Sequence, residues 1–473
     1  MRNWIKKAWR RLFPVKEHKR AVKVYAGQGA IYQYSVAAIL FFGFQTLVAT
    51  LGALELVFPD LPAPITFQVG RAIHLNLSIY WPLLGSMGAA LFFFVQEAQA
   101  DLRPRWMAFL LFYLLIFNGV GILVSLALGY TEGREYLEAI RPFDWLLVLS
   151  MLLFLFLLCN TFLRSKTRKK RPTLLAILLG ALSLVIFYLP NMIFYENPSA
   201  DEVVRFWVVH LWEEMSLELV SAGVIAAFLL AVTESRRRQL EKILYLDLAL
   251  VFVTGFLATG HHYYWVGTPK YWQAVGGVFS TIQLIPILLL FYETYRALKP
   301  EKLRGLEQGA KLGLAFLVSS VFYHVFGAGV LGWIMALPRF NRYLHGTYLT
   351  SAHAHFALFG VFGFLVLAMA VYILADRFEL PQMDYRRVWR SLILLNAGLL
   401  LMGGALTAAG FLESYLWRIA GQDFMATQRL LRPYLMLRAA GGALFAAGAL
   451  LLAWTFVKLA WKNKWAVLFG KID

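Results

Sequence analysis

Apolar stretches of about 20 residues or more recur along the whole chain, and each is long enough to cross a hydrocarbon core of roughly 30 Å. They fall near residues 29–57, 70–97, 104–130, 143–163, 173–195, 203–233, 243–264, 272–297, 309–336, 346–376, 388–415 and 433–460. A soluble domain carries roughly a quarter charged residues; here 60% of residues are hydrophobic and only 15% charged. Water-soluble folding is excluded. The expected fold class is an all-α polytopic membrane protein of about twelve transmembrane helices. A single membrane domain over 29–461 lies between a basic N-terminal tail, 1–28, and a C-terminal tail, 462–473.

The net charge of +18 raises the question of nucleic acid, and the position of the charges answers it. Roughly three quarters of the Lys and Arg fall in the N-terminal tail, at Arg103/Arg105, in the run Arg164 to Arg171, at Arg236 to Lys242, Arg296 to Lys311 and Arg377 to Arg390, and from Lys458 onward. These are alternate loops, so the positive-inside rule makes them cytoplasmic, with both termini on that side. The basic excess is topology, the partner is the lipid bilayer, and no nucleic acid is expected. The first apolar run lacks a small-residue cleavage site and reads as a retained helix. Cys159 is the one cysteine, so any c-type haem or dicopper centre belongs to another polypeptide.

Histidines carry the chemistry. His18 lies in the basic tail and reads as solvated. His74 begins the second apolar run, His210 lies in the sixth, His261 and His262 end the seventh, and His353 and His355 lie early in the tenth. The topology brings these six to one level, in the outer half of the membrane. One intramembrane histidine is usually a hydrogen-bonded structural residue. Six at one depth are costly unless they bind something, and neutral imidazole is the commonest ligand for iron, copper and zinc. On an α-helix His353 and His355 lie about 200° apart. One helix can therefore ligate a haem on each flank, with His74 available as a second axial ligand. His210, His261 and His262 remain for a second metal. Glu214 and Glu218 follow His210 at i+4 and i+8, on one expected stripe with Glu213 beside it, and intramembrane carboxylates are ligands or proton carriers by default. An oxygen ligand beside three imidazoles suits iron better than cuprous copper.

At these residues the sequence resembles the haem–copper oxidase superfamily, and within it the catalytic subunit of the cytochrome c-dependent nitric oxide reductases. The matching stretches are RAIHLNLSIYW (Arg71 to Trp81), GREYLE (Gly133 to Glu138), WVVHLWEE (Trp207 to Glu214), TGHHYYW (Thr259 to Trp265), FGAGVLGW (Phe326 to Trp333), HGTYLTSAHAH (His345 to His355) and FMATQ (Phe424 to Gln428). The resemblance implies two b-type haems. His74 and His355 would be the axial ligands of the low-spin one, and His353 the proximal ligand of the high-spin one. It implies non-haem iron on His210, His261, His262 and Glu214, and proton delivery through Glu218. Glu138 would belong to a proton path from the outer side, and Glu135 would bind calcium. Arg71 and Arg134 would neutralise haem propionates. The implied reaction is reduction of two nitric oxide molecules to nitrous oxide and water. The electron donor would be a membrane-anchored c-type cytochrome subunit, and the location a prokaryotic cytoplasmic membrane. Quinol-fed relatives carry an extra N-terminal helix and an outer soluble extension, so the absence of both here leads to the cytochrome-fed type.

Common oxygen reductases carry a tyrosine four residues after the first metal-binding histidine, where this chain has Glu214. A second departure follows Val278 to Ser280: the family usually has a glutamate near the iron, and here Gln283 stands instead. Glutamine cannot carry a proton or negative charge. Two alternatives therefore stay open, a terminal oxygen reductase and a nitric oxide dismutase-like enzyme. His324 matches no part of the family pattern and is expected to make a hydrogen bond inside the bundle. Glu218 is expected to draw its protons from the outer side; acidic residues within the inner half look few, with Asp247 and Glu293 near helix ends, so a transmembrane proton-pumping channel is not evident.

Overall fold

The computed structural model describes residues 25–464 apart from 63, 168–170, 234–236, 299–302, 304 and 379. The tails up to residue 24 (with His18) and from 465, and the middle of the 164–171 basic run, lie outside the described residues.

Among the described residues, twelve helices are long and apolar enough to span a membrane. They are α1 (Ala26–Val57), α2 (Phe67–Ala98), α3 (Arg105–Ala127), α4 (Arg141–Arg164), α5 (Pro172–Met192), α6 (Pro198–Val232), α7 (Arg237–His262), α8 (Tyr271–Arg296), α9 (Gln308–Ala336), α10 (Tyr348–Arg377), α11 (Gln382–Ile419) and α12 (Phe424–Lys462). Each matches one apolar stretch. The largest differences are at the polar ends, which hydropathy does not detect. α12 starts nine residues before the expected 433, because Asp423 caps it by accepting a hydrogen bond from the Ala426 amide (2.9 Å) and the helix carries Pro433 inside it.

Helices adjacent in sequence pack against each other, and α12 closes back onto α1. The middle of the bundle is held by α2, α10 and α6, whose apolar windows are 89%, 83% and 78% buried; for α8 the figure is 28%. α2, α6 and α10 are the helices that carry His74, His210, Glu214, His353 and His355, so the chemistry sits where protein, not lipid, surrounds it.

Four spans switch from α to π geometry for one or two turns: Val209–Met215 in α6, His324–Val330 in α9, His355–Gly363 in α10 and Ser414–Ile419 in α11. A π turn holds an extra residue, and such turns gather at functional sites. Three of the four contain or begin at a histidine singled out above.

Two further features fix the end of the bundle where these histidines lie. Glu413 of α11 accepts from the Tyr348 amide at the start of α10 and from Gln428 Nε2 of α12, both at 2.7 Å. That ties Gln428, in the FMATQ stretch, to the entry of the helix bearing His353 and His355. The segment between α3 and α4 is strapped down by Arg134, which donates to Asn191 Oδ1 (2.6 Å) and pairs with Asp201 (2.9 Å), and by Arg141, which pairs with Glu132 at 3.1 Å.

Candidate functional site

Even-numbered spans start, and odd-numbered spans end, at the same side of the bundle. His74, His210, His353 and His355 lie early in even spans, and His261 and His262 close an odd one, so all six gather at that side.

His210, His261 and His262 form a compact group whose ligand-capable atoms all lie within 4.8 Å of one another. His210 Nδ1 is 3.1 Å from His262 Nε2, and the His261 and His262 ring centroids are 4.2 Å apart. Glu214 reaches the same point: its Oε2 is 3.1 Å from His210 Nδ1, and its Oε1 is 3.9 Å from His262 Nε2. Three imidazoles converge from α6 and the end of α7, and the Glu214 carboxylate stands at their edge, beside His210 and His262. The short 3-10 turn Thr259–His262 lets two successive histidines face one point. Phe206 stacks on the outer face of the His262 ring, 5.4 Å centroid to centroid.

The orientation of His261 is fixed from α8. Ser280 Oγ donates to the Gly276 carbonyl (2.7 Å), so it accepts from His261 Nδ1 at 2.9 Å. This leaves Nε2 bare and facing the cluster, the arrangement in which the non-ligating ring nitrogen fixes the tautomer of a metal-bound imidazole. Nothing in the sequence marks Ser280 beyond its place in VFS. Its position nineteen residues from His261 gives no local signal.

His353 and His355 do face different neighbours. His353 Nδ1 donates to the Gly327 carbonyl of α9 (3.2 Å), and His355 Nδ1 donates to the Ser351 carbonyl (2.7 Å). Each therefore presents Nε2 without a proton, as an iron ligand must. The His355 and His74 rings face each other with centroids 6.0 Å apart and planes inclined by 32°. That separation suits one metal atom held between two ring nitrogens at about 2 Å each. Residues 353–359 of α10 remain half-accessible, whereas 360–375 of the same helix are wholly buried. At the histidine level the packing thus leaves accessible surface around α10, of the kind a flat macrocycle would cover. The donor set and its surroundings fit two haems and one further metal ion.

The remaining expected residues divide. Glu218 does not continue the His210–Glu214 stripe, because the intervening π turn changes the facing of the helix. Its Oε1 lies 3.3 Å from Nε2 of His324 in α9, so His324 has a carboxylate neighbour inside the bundle. Glu138 is buried and accepts from Asn76 Nδ2 at 2.8 Å, two residues beyond His74. Burial pushes its carboxyl up to about 7. Arg71 and Glu135 pair with each other at the half-exposed edge of the site. The terminal nitrogens of Arg134 donate to Asn191 and Asp201, while its Nε is buried without a hydrogen-bond partner. Gln283 stands at a break in α8 between Ile282 and Leu284, where Pro286 cannot donate to the Ile282 carbonyl.

The family described as cytochrome c and quinol oxidase polypeptide I matches residues 29–444. Among curated proteins, a nitric oxide reductase subunit of Stutzerimonas stutzeri is 31% identical over 462 residues, covering 91% of this chain and 95% of that one. A cytochrome c oxidase subunit 1 homolog of Agrobacterium tumefaciens (strain T37) is 24% identical over 467 residues, covering 90% and 82%. Among solved structures, a heme-copper terminal oxidase dimer superposes with a TM-score of 0.71 at 13% identity, over 93% of this chain and 84% of that one. The twelve spans, the gathered histidines and the match over residues 29–444 agree: this chain belongs to the cytochrome c and quinol oxidase polypeptide I family, the haem–copper oxidases, and is an integral membrane oxidoreductase.

Proposed function

We propose that the protein reduces nitric oxide to nitrous oxide, 2 NO + 2 e⁻ + 2 H⁺ giving N2O + H2O, at a high-spin haem beside a non-haem iron, fed by a low-spin haem b. The observation that carries this reading is Glu214, whose carboxylate stands beside His210 and His262 at the position where an oxygen reductase has its tyrosine. A hard anionic oxygen added to three imidazoles favours iron over cuprous copper. In this reading His74 and His355 hold the low-spin haem, His353 the high-spin haem, and the three clustered histidines with Glu214 the iron. When bound, the iron and the high-spin haem supply the electrons and hold two NO nitrogens within coupling distance.

The chain's own residues do the rest. Ser280 and the Gly327 and Ser351 carbonyls fix the ring tautomers of His261, His353 and His355. Glu214 places negative charge beside the iron. Glu218 carries protons to the reacting oxygen, and Glu138, poised near neutrality, exchanges protons at the loop side. Arg71 neutralises a propionate, and Glu135, half-exposed beside it, binds calcium. We assign the basic loops and both termini to the cytoplasmic side of a prokaryotic inner membrane, and the electron supply to a membrane-anchored c-type cytochrome subunit.

Gln283 supports a second reading, oxygen reduction or NO dismutation on the same scaffold, since it removes a charge and a proton carrier from α8. Metal and product decide between them. Purified protein with two haems b and one non-haem iron, forming N2O from NO, is the expected result. One copper per two haems with oxygen consumption and no N2O would sink the first reading; oxygen release from NO without oxygen present would favour dismutation.

A further inference from the structure

α1 carries no histidine, but one of its side chains reaches the pair assigned to the low-spin haem. Gln45 is buried, and its amide is committed at both ends. Oε1 accepts from Trp81 Nε1 at 2.7 Å. Nε2 donates to the His74 carbonyl at 3.1 Å and lies 3.3 Å from His74 Nδ1. Turning the amide over would set its NH2 against the indole N–H, which can only donate, and its oxygen against the His74 carbonyl, which can only accept. Trp81 is fully buried and packs on Phe42, 4.9 Å between ring centroids, so the indole holds its place. Gln45 therefore offers His74 Nδ1 a donor and no acceptor.

A metal-binding imidazole ordinarily meets the opposite partner. Bound through Nε2, it carries its proton on Nδ1 and donates it to a carbonyl or carboxylate, which raises the basicity of the ligand. His355 has that arrangement, with the Ser351 carbonyl 2.7 Å from its Nδ1, and so does His353 with Gly327 at 3.2 Å. Among the described residues, no oxygen accepts from His74 Nδ1. When His74 binds through Nε2, its Nδ1 proton faces the Gln45 NH2, donor against donor. His74 is then the weaker electron donor of the axial pair, and the amide also turns the positive end of its dipole to the ring. Both effects favour the less charged, reduced iron, and hydrogen bonding around the axial ligand is one of the levers by which a protein sets a haem's potential.

We propose that Gln45, pinned by Trp81, is a positioning residue that holds the potential of the low-spin haem up by denying His74 a hydrogen-bond acceptor. This rests on the reading of His74 and His355 as the axial pair, but not on which oxide is reduced. The two faces of that haem are thereby unequal: the α10 ligand is strengthened by its own helix, and the α2 ligand is weakened from α1. Gln45 lies 29 residues from His74 and 36 from Trp81, so only the packing of α1 on α2 reveals the three as a unit.

The test is a potentiometric titration of the purified holoenzyme without turnover, followed at the absorbance band of the low-spin haem. Gln45→Glu sets one oxygen on the Trp81 N–H and the other on His74 Nδ1–H. It should shift the reduction equilibrium at least tenfold towards the ferric form, a fall of about 59 mV for one electron. Gln45→Leu removes the amide without supplying an acceptor and should shift it threefold or less. A Gln45→Glu midpoint equal to or above the parent's, or equal falls in both variants, would overturn the proposal. Should Gln45→Glu lose the low-spin band, the unaltered enzyme decides alone. Electron–nuclear double resonance on its ferric low-spin signal should show two unequal exchangeable imidazole protons, and two equal ones would overturn the proposal. An unaltered enzyme with no bis-histidine low-spin spectrum would sink the axial assignment and the proposal with it, whereas that spectrum with an unmoved midpoint sinks the proposal alone.

Discussion

Ser280 shows how much of this site depends on residues that never touch the metal. Its hydroxyl accepts from His261 Nδ1 while its own proton goes to Gly276. Ser280→Ala should weaken metal retention by about 10–100-fold, read by titrating iron back into metal-depleted protein. An unchanged affinity would show that the cluster orients itself. Glu138 gives a pH-dependent counterpart. Its carboxyl titrates at about 7 when folded, against 4.5 ordinarily, because it is buried. The folded chain thus binds more protons than the unfolded one between those values, and this group's contribution to stability falls as pH rises through that window and levels off above it. Glu138→Gln should remove an inflection near pH 7 from the turnover profile and flatten the loss of thermal stability over the same range. The six histidines, Glu214 and Glu218 could be picked out from residue type and depth alone. Ser280 could not, since a serine nineteen residues away acquires meaning only when α8 packs on α7.

Helix geometry explains where spacing arguments held and where they failed. The 100° step correctly sends His353 and His355 to different neighbours, α9 and α2. It fails between His210 and Glu218, because Val209–Met215 is π-helical and the extra residue turns Glu218 to His324. No local composition announces a π turn; tertiary packing selects it. The approach of α9 to α10 depends on a residue without a side chain: a Cβ at Gly332 would lie 2.6 Å from His353 Cε1. Gly332→Ala should therefore displace the His353 ring, which its bond to Gly327 keeps from backing away. The carbon monoxide-binding haem signal should fall severalfold while the low-spin spectrum persists. Equal loss of both haems would mean a general folding defect; loss of neither would mean α9 can move aside.

For the whole molecule, the twelve spans and the enclosure of α2, α6 and α10 follow from apolar length and from histidines that must avoid lipid. Span ends did not follow, because α11 and α12 continue past their apolar stretches, α12 on the Asp423 side-chain cap. The alternation of basic loops is the basis for proposing that both termini face the cytoplasm. A reporter that fluoresces only in the cytoplasm should be bright when fused after residue 473 and dark when inserted in the 128–140 loop; the reverse pattern would invert the bundle. The central claim is that three histidines with a carboxylate at their edge make an iron site that couples NO. It is tested most directly by metal analysis of the purified protein combined with product analysis under NO. Two haems and one further iron per chain, with one N2O formed per two NO consumed, is the outcome expected. One copper in place of that iron, with oxygen consumed and no N2O formed, would contradict it.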